Sequence, residues 1–515
     1  MATPAEKLAD SLEVLKALQD GGITAIKSSR ISKVHRVRLM KNGFLKEVTK
    51  GWYISTPADE QPGDSTSWYA SYWHFCAEYL SDRYADDYFI SPDQSLLLHS
   101  GNWTVPQQLI IRTAKKANHN TPLPHGTSLW HWKSPVPKSA VFVIVEGIRM
   151  LNLASSLINC TPAMFTKNPT DIRTALAMIK DSSEITGLLL QGEHSTIAGR
   201  LAGAFRNIGR ERIADDILKT MQSAGYDVRE NNPFTTTIPA AFAIKEYSPY
   251  VNRIQLLWHE MREIVITNFP KAPGIPVNHT AYMKQVADLY VTDAYHSLSI
   301  ERYRVSPSLI EKVREGNWDS INDGEDKKQR DAMAARGYWQ ATQKVRDSIT
   351  EILNGTNAGM IADKDHGDWY RELFAPSVAA GILKAADLAG YRNQQVYISG
   401  SKHVPLNNDA VRDVMPVLFE LLANEPEAAV RAVLGHFIFV YIHPYMDGNG
   451  RMGRFLLNVM LASGGYPWTV IPVQERNTYM QALEKASVER DIEPFARFMA
   501  YLVGEGMKGR PVAVI

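Results

Sequence analysis

Cysteine is nearly absent from this chain, with only Cys76 and Cys160 in 515 residues. Two thiols cannot build a disulfide framework or a four-thiolate metal site, so a reducing compartment is the expectation. Net charge is missing as well: 56 Lys and Arg stand against 55 Asp and Glu. The chain as a whole is no polyelectrolyte, and a nucleic-acid site has to be a local patch. Long hydrophobic runs are also lacking. Val141–Val145 and Phe437–Ile442 are the most apolar stretches, far short of the roughly 20 residues a membrane span needs. The opening MATPAEKLAD carries acids and no apolar core of a secretory signal. No fixed-period repeat or low-complexity tract stands out. These absences predict a soluble, cytoplasmic protein with no membrane partner. Hydrophobic residues at 45% and charged residues at 22% fit a globular chain, and its length predicts two or three domains.

Residues 5–20 place Leu8, Leu12, Leu15 and Leu18 at helical spacing, and Gly21-Gly22 breaks the pattern. Residues 30–42 read as a second helix, with Gly43 where a helix stops. Phe44–Ser55 reads as a hairpin turning at Lys50-Gly51. Helix, helix, hairpin is the order of a winged helix, and the polar Asp59–Ser65 is a boundary. The next segment is mixed, with strands expected at 106–113 and 139–146. Thr170–Tyr226 is helical with interruptions near Gly209 and Gly225, and Asn231-Asn232-Pro233 marks a second boundary. Beyond about 250 the chain reads as helices, except a hairpin-like Gln394–Ser401. The expected domains are therefore 1–60, 61–235 and 236–515, and the fold class is mainly α with an N-terminal winged helix and a mixed α/β middle.

Between positions 27 and 50, Lys27, Arg30, Lys33, Arg36, Arg38, Lys41, Lys46 and Lys50 face a single acid, Glu47. Such local density is the footprint of phosphate binding. Arg30, Lys33 and Arg36 are expected on one helix, as reading duplex DNA in a major groove requires. A solvated basic face is the plain alternative. By pattern this region resembles the winged-helix modules of abortive-infection antitoxin regulators, and 195–233 is similar to their helical C-terminal part.

The sharpest signal is HPYMDGNGRMGR, His443 to Arg454. It follows Ala428–Ile442, apolar nearly all round and so expected at the centre of a domain. A Gly-Asn-Gly turn entering a helix presents backbone N–H groups and the positive helix end, an anion cradle. Arg451 and Arg454 sit where cations oppose the helix dipole, which makes sense if a polyanion binds there. Three apart, they share a face and can grip one phosphate chain. Asp447 is placed to hold a Mg²⁺ that bridges phosphate oxygens. His443 is the only neutral-pH base in the motif. Other readings fail on residues. A calcium loop would put Arg451 and Asn458 at ligand positions, a zinc site lacks further ligands, and no Gly-Lys-Ser/Thr makes a P-loop.

These twelve residues resemble the Fic family signature, H-x-F-x-D/E-G-N-G-R-x-x-R, with Tyr445 replacing Phe. The resemblance implies a helical domain over roughly 250–505 that transfers AMP from ATP to a hydroxyl of a target protein. It gives His443 the base role and Asp447 the Mg²⁺. Gly448, Asn449 and Gly450 would cradle the phosphates, and Arg451 and Arg454 would hold the β- and γ-phosphates. Gly450 stands where kinases of this fold carry Lys, which disfavours that branch. Tyr391–Pro405 resembles the family's flap hairpin, which holds the target by strand addition. Arg476–Leu483 resembles its adenine-side segment, pointing to Asn477 and Tyr479. His436 is expected as a packed neighbour. Many relatives carry an inhibitory helix, S/T-x-x-x-E-G/N, whose Glu pairs with the second arginine. His296–Tyr303 offers Ser297 and Glu301, with Arg302 where Gly or Asn is usual. The alternatives are another transfer or AMP removal on the same fold, and a DNA-binding regulator that uses the domain as a nucleotide sensor. The target and the oligomeric state stay open.

Overall fold

The computed structural model describes all residues except 1–2, 62, 116–117, 138–140, 236–247, 317–325 and 389. The chain divides into two compact units. One holds Met1–Arg253 with Tyr397–Val404; the other holds Ile254–Val396 with Pro405–Ile515.

The first unit opens with α1 (Pro4–Asp20), started by a capping box in which Thr3 and Glu6 exchange side-chain-to-backbone bonds. Strands β1 (Ala25–Lys27), β2 (Leu45–Thr49) and β3 (Trp52–Ser55) form an antiparallel sheet in the order β1-β3-β2, with α2 (Lys33–Lys41) between β1 and β2. Gly51, at φ 80°, makes the β2–β3 turn. Leu15, Ile26, Leu39, Leu45 and Tyr53 form a small core of these elements.

Next comes α3 (Thr66–Tyr84), whose Trp68, Tyr72, Phe75 and Tyr79 are buried. They pack with Trp52 and Ile54 and with the inner face of a second sheet. That sheet joins β4 (Phe89–Ile90), β5 (Gln108–Thr113), β7 (Ser128–Lys133) and β6 (His119–Pro122) in this order, β5 and β7 running parallel. A hairpin of β8 (Phe142–Val145) and β9 (Ile148–Leu151) follows. Seven helices complete the run: α4 (Pro92–His99), α5 (Leu153–Asn159), α6 (Met164–Lys167), α7 (Pro169–Ala177), α8 (Ser183–Gln191), α9 (Ser195–Asn207) and α10 (Glu211–Ser223). The expected mixture of strands and then helices is present. Ser139 and Ala140, the start of the second expected strand, lie outside the described residues.

One placement near the N-terminus differs from expectation. Arg30 does not share a helix with Lys33 and Arg36, because it ends a separate 3-10 turn, Ser28–Arg30. The hydroxyl of Ser32 accepts from His35 N and starts α2 only at Lys33. Three cations of the basic run also have acids: Lys27 meets Asp82 at 2.6 Å, Arg30 meets Glu78 at 3.2 Å and Lys46 meets Glu60 at 3.7 Å. Arg36 lies over the Tyr53 ring, and Lys33 is exposed.

The second unit is built from helices. In order they are α11 (Pro249–Asn268), which contains the point of division, α12 (His279–Asp288), α13 (Tyr290–Ile300), α14 (Pro307–Arg314), α15 (Asp326–Leu353), α16 (Ala358–Ala379), α17 (Asn408–Asn424), α18 (Ala428–Ile442), α19 (Asn449–Ala462), α20 (Arg476–Glu484) and α21 (Glu493–Met507). α18 is buried throughout apart from Arg431 and Val440, as its apolar sequence requires. α19 packs closely on it at Gly453, where a Cβ would come within 2.9 Å of Val440 and 3.0 Å of His436.

The expected hairpin at Gln394–Ser401 contains no strand. Side chains, not a backbone ladder, tie the legs of this loop. Arg392 donates to the carbonyls of Gln394 and Leu406, and Gln395 Nε2 donates to Pro405 O at 2.8 Å. Pro405 has no N–H to offer a ladder. The tip turns at Gly400, φ 74°, where Ser401 N bonds Ile398 O.

Candidate active site

The site forms where α18 ends and α19 begins. His443 caps α18 in a left-handed conformation, φ 56° and ψ 61°, with its N–H on Phe439 O at 3.0 Å. A non-glycine residue is strained there, and Arg392 holds it in place. Buried Arg392 donates Nε to His443 O at 2.8 Å, while its own N–H bonds Pro444 O at 2.9 Å. Burial pulls the Arg392 guanidinium down to about 10, still charged at neutral pH.

The imidazole of His443 places Nδ1 3.2 Å from Val440 O. A carbonyl only accepts, so Nδ1 carries the proton and Nε2 keeps its lone pair. Burial drives the pKa of His443 down to about 4, helped by Arg392 and opposed by Val440 O, Glu301 and Asp447. The ring is neutral at pH 7 and can accept a proton at Nε2.

Asn449 closes the turn. Its Oδ1 accepts from Tyr445 N at 2.9 Å and its Nδ2 donates to Tyr445 O at 2.8 Å. The side chain of Asn449 therefore holds the loop, and only its backbone is left for a ligand. Tyr445 stacks on Tyr370 with centroids 3.8 Å apart, anchoring the loop in the core as Phe would. Gly448 turns with φ 81°, and a Cβ there would come within 2.7 Å of the Phe374 ring. Its N–H bonds Asp447 Oδ1 at 2.6 Å. The first intrahelical bond of α19 is Met452 N to Gly448 O. The N–H groups of Asn449, Gly450 and Arg451 thus have no carbonyl within the helix, the geometry of an anion site. A Cβ on Gly450 would collide with Glu301 Oε1, so this position has no room for a side chain while Glu301 is in place.

Both motif arginines are buried, Arg451 at 1% and Arg454 at 4% exposure. Arg454 Nε donates to Ser297 Oγ at 2.8 Å, and Nη2 donates to Ser297 O at 3.0 Å and to Glu301 Oε1 at 2.8 Å. Arg451 reaches Asp447 Oδ2 only at 3.4 Å. Its guanidinium lies over the rings of Tyr303 and Phe374. Arg451 Nε and Arg454 Nη1 are buried with no hydrogen-bond partner among the described residues. Two buried cations with unused donors call for an acceptor-rich anion.

α13 and its C-cap supply two opposing carboxylates, Asp293 and Glu301, with the Ser297 hydroxyl between them; the three stand four apart and share one face. Asp293 accepts from Tyr338 OH at 2.7 Å, and burial raises its pKa to about 6. Tyr479 is buried, and its hydroxyl meets His436 Nε2 at 2.8 Å. It is a core contact behind Arg454, whereas Asn477 is exposed on α20. His436 is buried, as expected. Sequence reading missed Arg392, Tyr303 and Phe374. Among the described residues no group of three or more His, Cys, Asp or Glu is arranged to hold a metal, and no helix is long and apolar enough to cross a membrane.

Residues 366–461 match the model of the Fic/DOC family. A protein adenylyltransferase Fic from Drosophila willistoni is 40% identical over 226 residues, 43% of this chain and 42% of the relative. One from Nematostella vectensis is 27% identical over 252 residues, 48% of this chain and 55% of the relative. The chain thus spans about half the length of the curated relatives it matches. Among solved structures, a Fic-1 fragment from C. elegans aligns with a TM-score of 0.38 at 17% identity, covering 64% of this chain and 91% of the fragment. His443, Asp447, Arg451 and Arg454, which run from the end of α18 through the turn into the start of α19, all lie within the segment 366–461 that matches the Fic/DOC family.

Proposed function

We propose that the chain transfers AMP from ATP to a hydroxyl side chain of a protein, and that Glu301 holds it in a low-activity state. The observation that carries this reading is a neutral His443 at the end of α18, joined by the Pro444–Gly448 turn to a helix that opens with two buried, donor-rich arginines. In the reaction, Nε2 of His443 takes the proton of the target hydroxyl. That oxygen bonds to the α-phosphorus, the bond from it to the bridging oxygen breaks, and pyrophosphate leaves. The N–H groups at the start of α19, with Arg451 and Arg454, hold the β- and γ-phosphates, so catalysis is mainly positioning and charge stabilisation.

Asp447 suits Mg²⁺, which typically takes one or two protein carboxylates and completes its shell with water and phosphate oxygens. Its side chain is 67% exposed and adjoins the anion site. Bound there, Mg²⁺ would neutralise charge on the phosphates.

Glu301 fits an inhibitory role because it occupies the Arg454 donor that a γ-phosphate would use. The relatives named protein adenylyltransferase support the transfer itself. The experiment is incubation with ATP labelled at the α- or the γ-phosphate. Label on protein from the α position only, abolished by His443→Ala, is expected; γ-label on protein would convert the reading to a kinase.

A further inference from the structure

We propose that Tyr303 is a positioning residue for Arg451 that presents its guanidinium to the phosphate chain of the nucleotide; this rests on the nucleotide reading above. Arg451 is buried, yet its nearest described carboxylate stands at 3.4 Å and already binds Gly448 N through its other oxygen. A buried cation without a close counter-ion is unfavourable unless something else stabilises it. Here two aromatic faces do so. The guanidinium carbon lies 5.1 Å from the Tyr303 centroid and 4.9 Å from the Phe374 centroid. Ring faces attract a cation without consuming its N–H donors. Apart from the long Nη2 contact with Asp447, the in-plane donors of Arg451 stay available, and its Nε is buried and unpartnered. A group held this way is ready for an anion that arrives later.

The position of Tyr303 is fixed by the end of α13. Tyr303 N bonds Leu298 O at 3.1 Å and Arg302 N bonds Ser299 O at 3.0 Å, with Arg302 left-handed at φ 66°. The same turn sets Glu301 on Arg454. One turn thus touches both motif arginines, the first through a ring and the second through a carboxylate. Arg330 lies 5.4 Å from the same Tyr303 centroid, so the ring serves two cations. No described hydrogen bond engages the Tyr303 hydroxyl, so the ring alone carries the role.

The test is calorimetric titration of the full chain with ATP, ADP and AMP. It uses Glu301→Gly, which opens Arg454, alone and combined with Tyr303→Ala or Tyr303→Phe. Tyr303→Ala should weaken ATP and ADP by about fivefold to tenfold, the scale of a desolvated cation–π contact. AMP, which lacks the β- and γ-phosphates, should change less than about twofold on the same scale. Tyr303→Phe should restore ATP and ADP binding. An equal loss for all three nucleotides marks a merely structural role and overturns the proposal, as does no loss, or Phe behaving like Ala. If nucleotides discriminate as expected but no AMP reaches protein, the transfer reading fails and the assignment of Tyr303 stands. If the Glu301→Gly protein binds no ATP, both fall.

Discussion

Glu301 Oε1 accepts a hydrogen bond from Arg454 Nη2 at 2.8 Å, in a site where the arginine is buried and the carboxylate only partly so. A charge-assisted bond of this kind contributes about 1.5–3 kcal/mol, equivalent to roughly 10-fold to 150-fold in the population of an open Arg454. Glu301→Gly should therefore raise AMP incorporation by about tenfold or more. ATP affinity should change less than the rate, because ATP still binds the closed form, but unproductively. Incorporation by parent, Glu301→Gly and Glu301→Gly/Arg454→Ala is the measurement. Equal rates in the first two would refute inhibition by Glu301 and leave His443 untouched.

His443 should give the rate an unusual pH dependence. With its pKa lowered to about 4, the ring stays neutral and competent as a base well below the usual histidine range near 6.5. In the Glu301→Gly protein the nearby carboxylate that raises this pKa is gone, so the shift goes further down. The rate at pH 5.5 should remain above about half that at pH 7.5. A half-loss near pH 6.5 would mean that His443 is well solvated. His443→Ala should lower the rate by about 10²–10⁴.

Much of the site was legible from the chain because it obeys spacing rules. α18 is apolar nearly all round and, apart from Arg431 and Val440, buried throughout. Ser297 and Glu301, four apart, do share a face, and both meet Arg454. What sequence could not show depends on contacts without a period. The loop at Gln394–Ser401 has the composition of a hairpin, but the side chains of Arg392 and Gln395 take carbonyls on its two legs. Arg30 looks continuous with α2, but Ser32 caps that helix after it. Tyr303 meets Arg451 through a ring face, and no motif spacing reports a ring face.

Arg392 should prove as important as the motif residues. It supplies donors to the carbonyls of His443, Gln394 and Leu406 from a buried position. Arg392→Met would leave three acceptors unmatched, at about 1–3 kcal/mol for each that stays buried. A fall in melting temperature is expected, together with a drop in kcat as the strained cap at His443 relaxes. Arg392→Lys should not rescue it, because an ammonium cannot span three carbonyls as a planar guanidinium does. A Lys variant with parental melting and kcat would show that charge alone suffices.

Arg302 is the one departure from the inhibitory pattern, and its backbone explains what the pattern asks for. The residue after Glu301 adopts φ 66°, the left-handed position that ends a helix and favours glycine or asparagine. An arginine there is strained by roughly 1 kcal/mol or more. Part of the gain from glycine is offset by its greater freedom in the unfolded chain. Arg302→Gly should therefore favour the turn that places Glu301 on Arg454 and lower basal AMP incorporation by about twofold to fivefold, the equivalent of 0.4–1 kcal/mol. The same substitution added to Glu301→Gly should not change the rate in that direction, because no carboxylate is left to position. Transfer rates of the four proteins form a cycle. Equal effects of Arg302→Gly with and without Glu301 would place its action elsewhere than on the inhibitory contact.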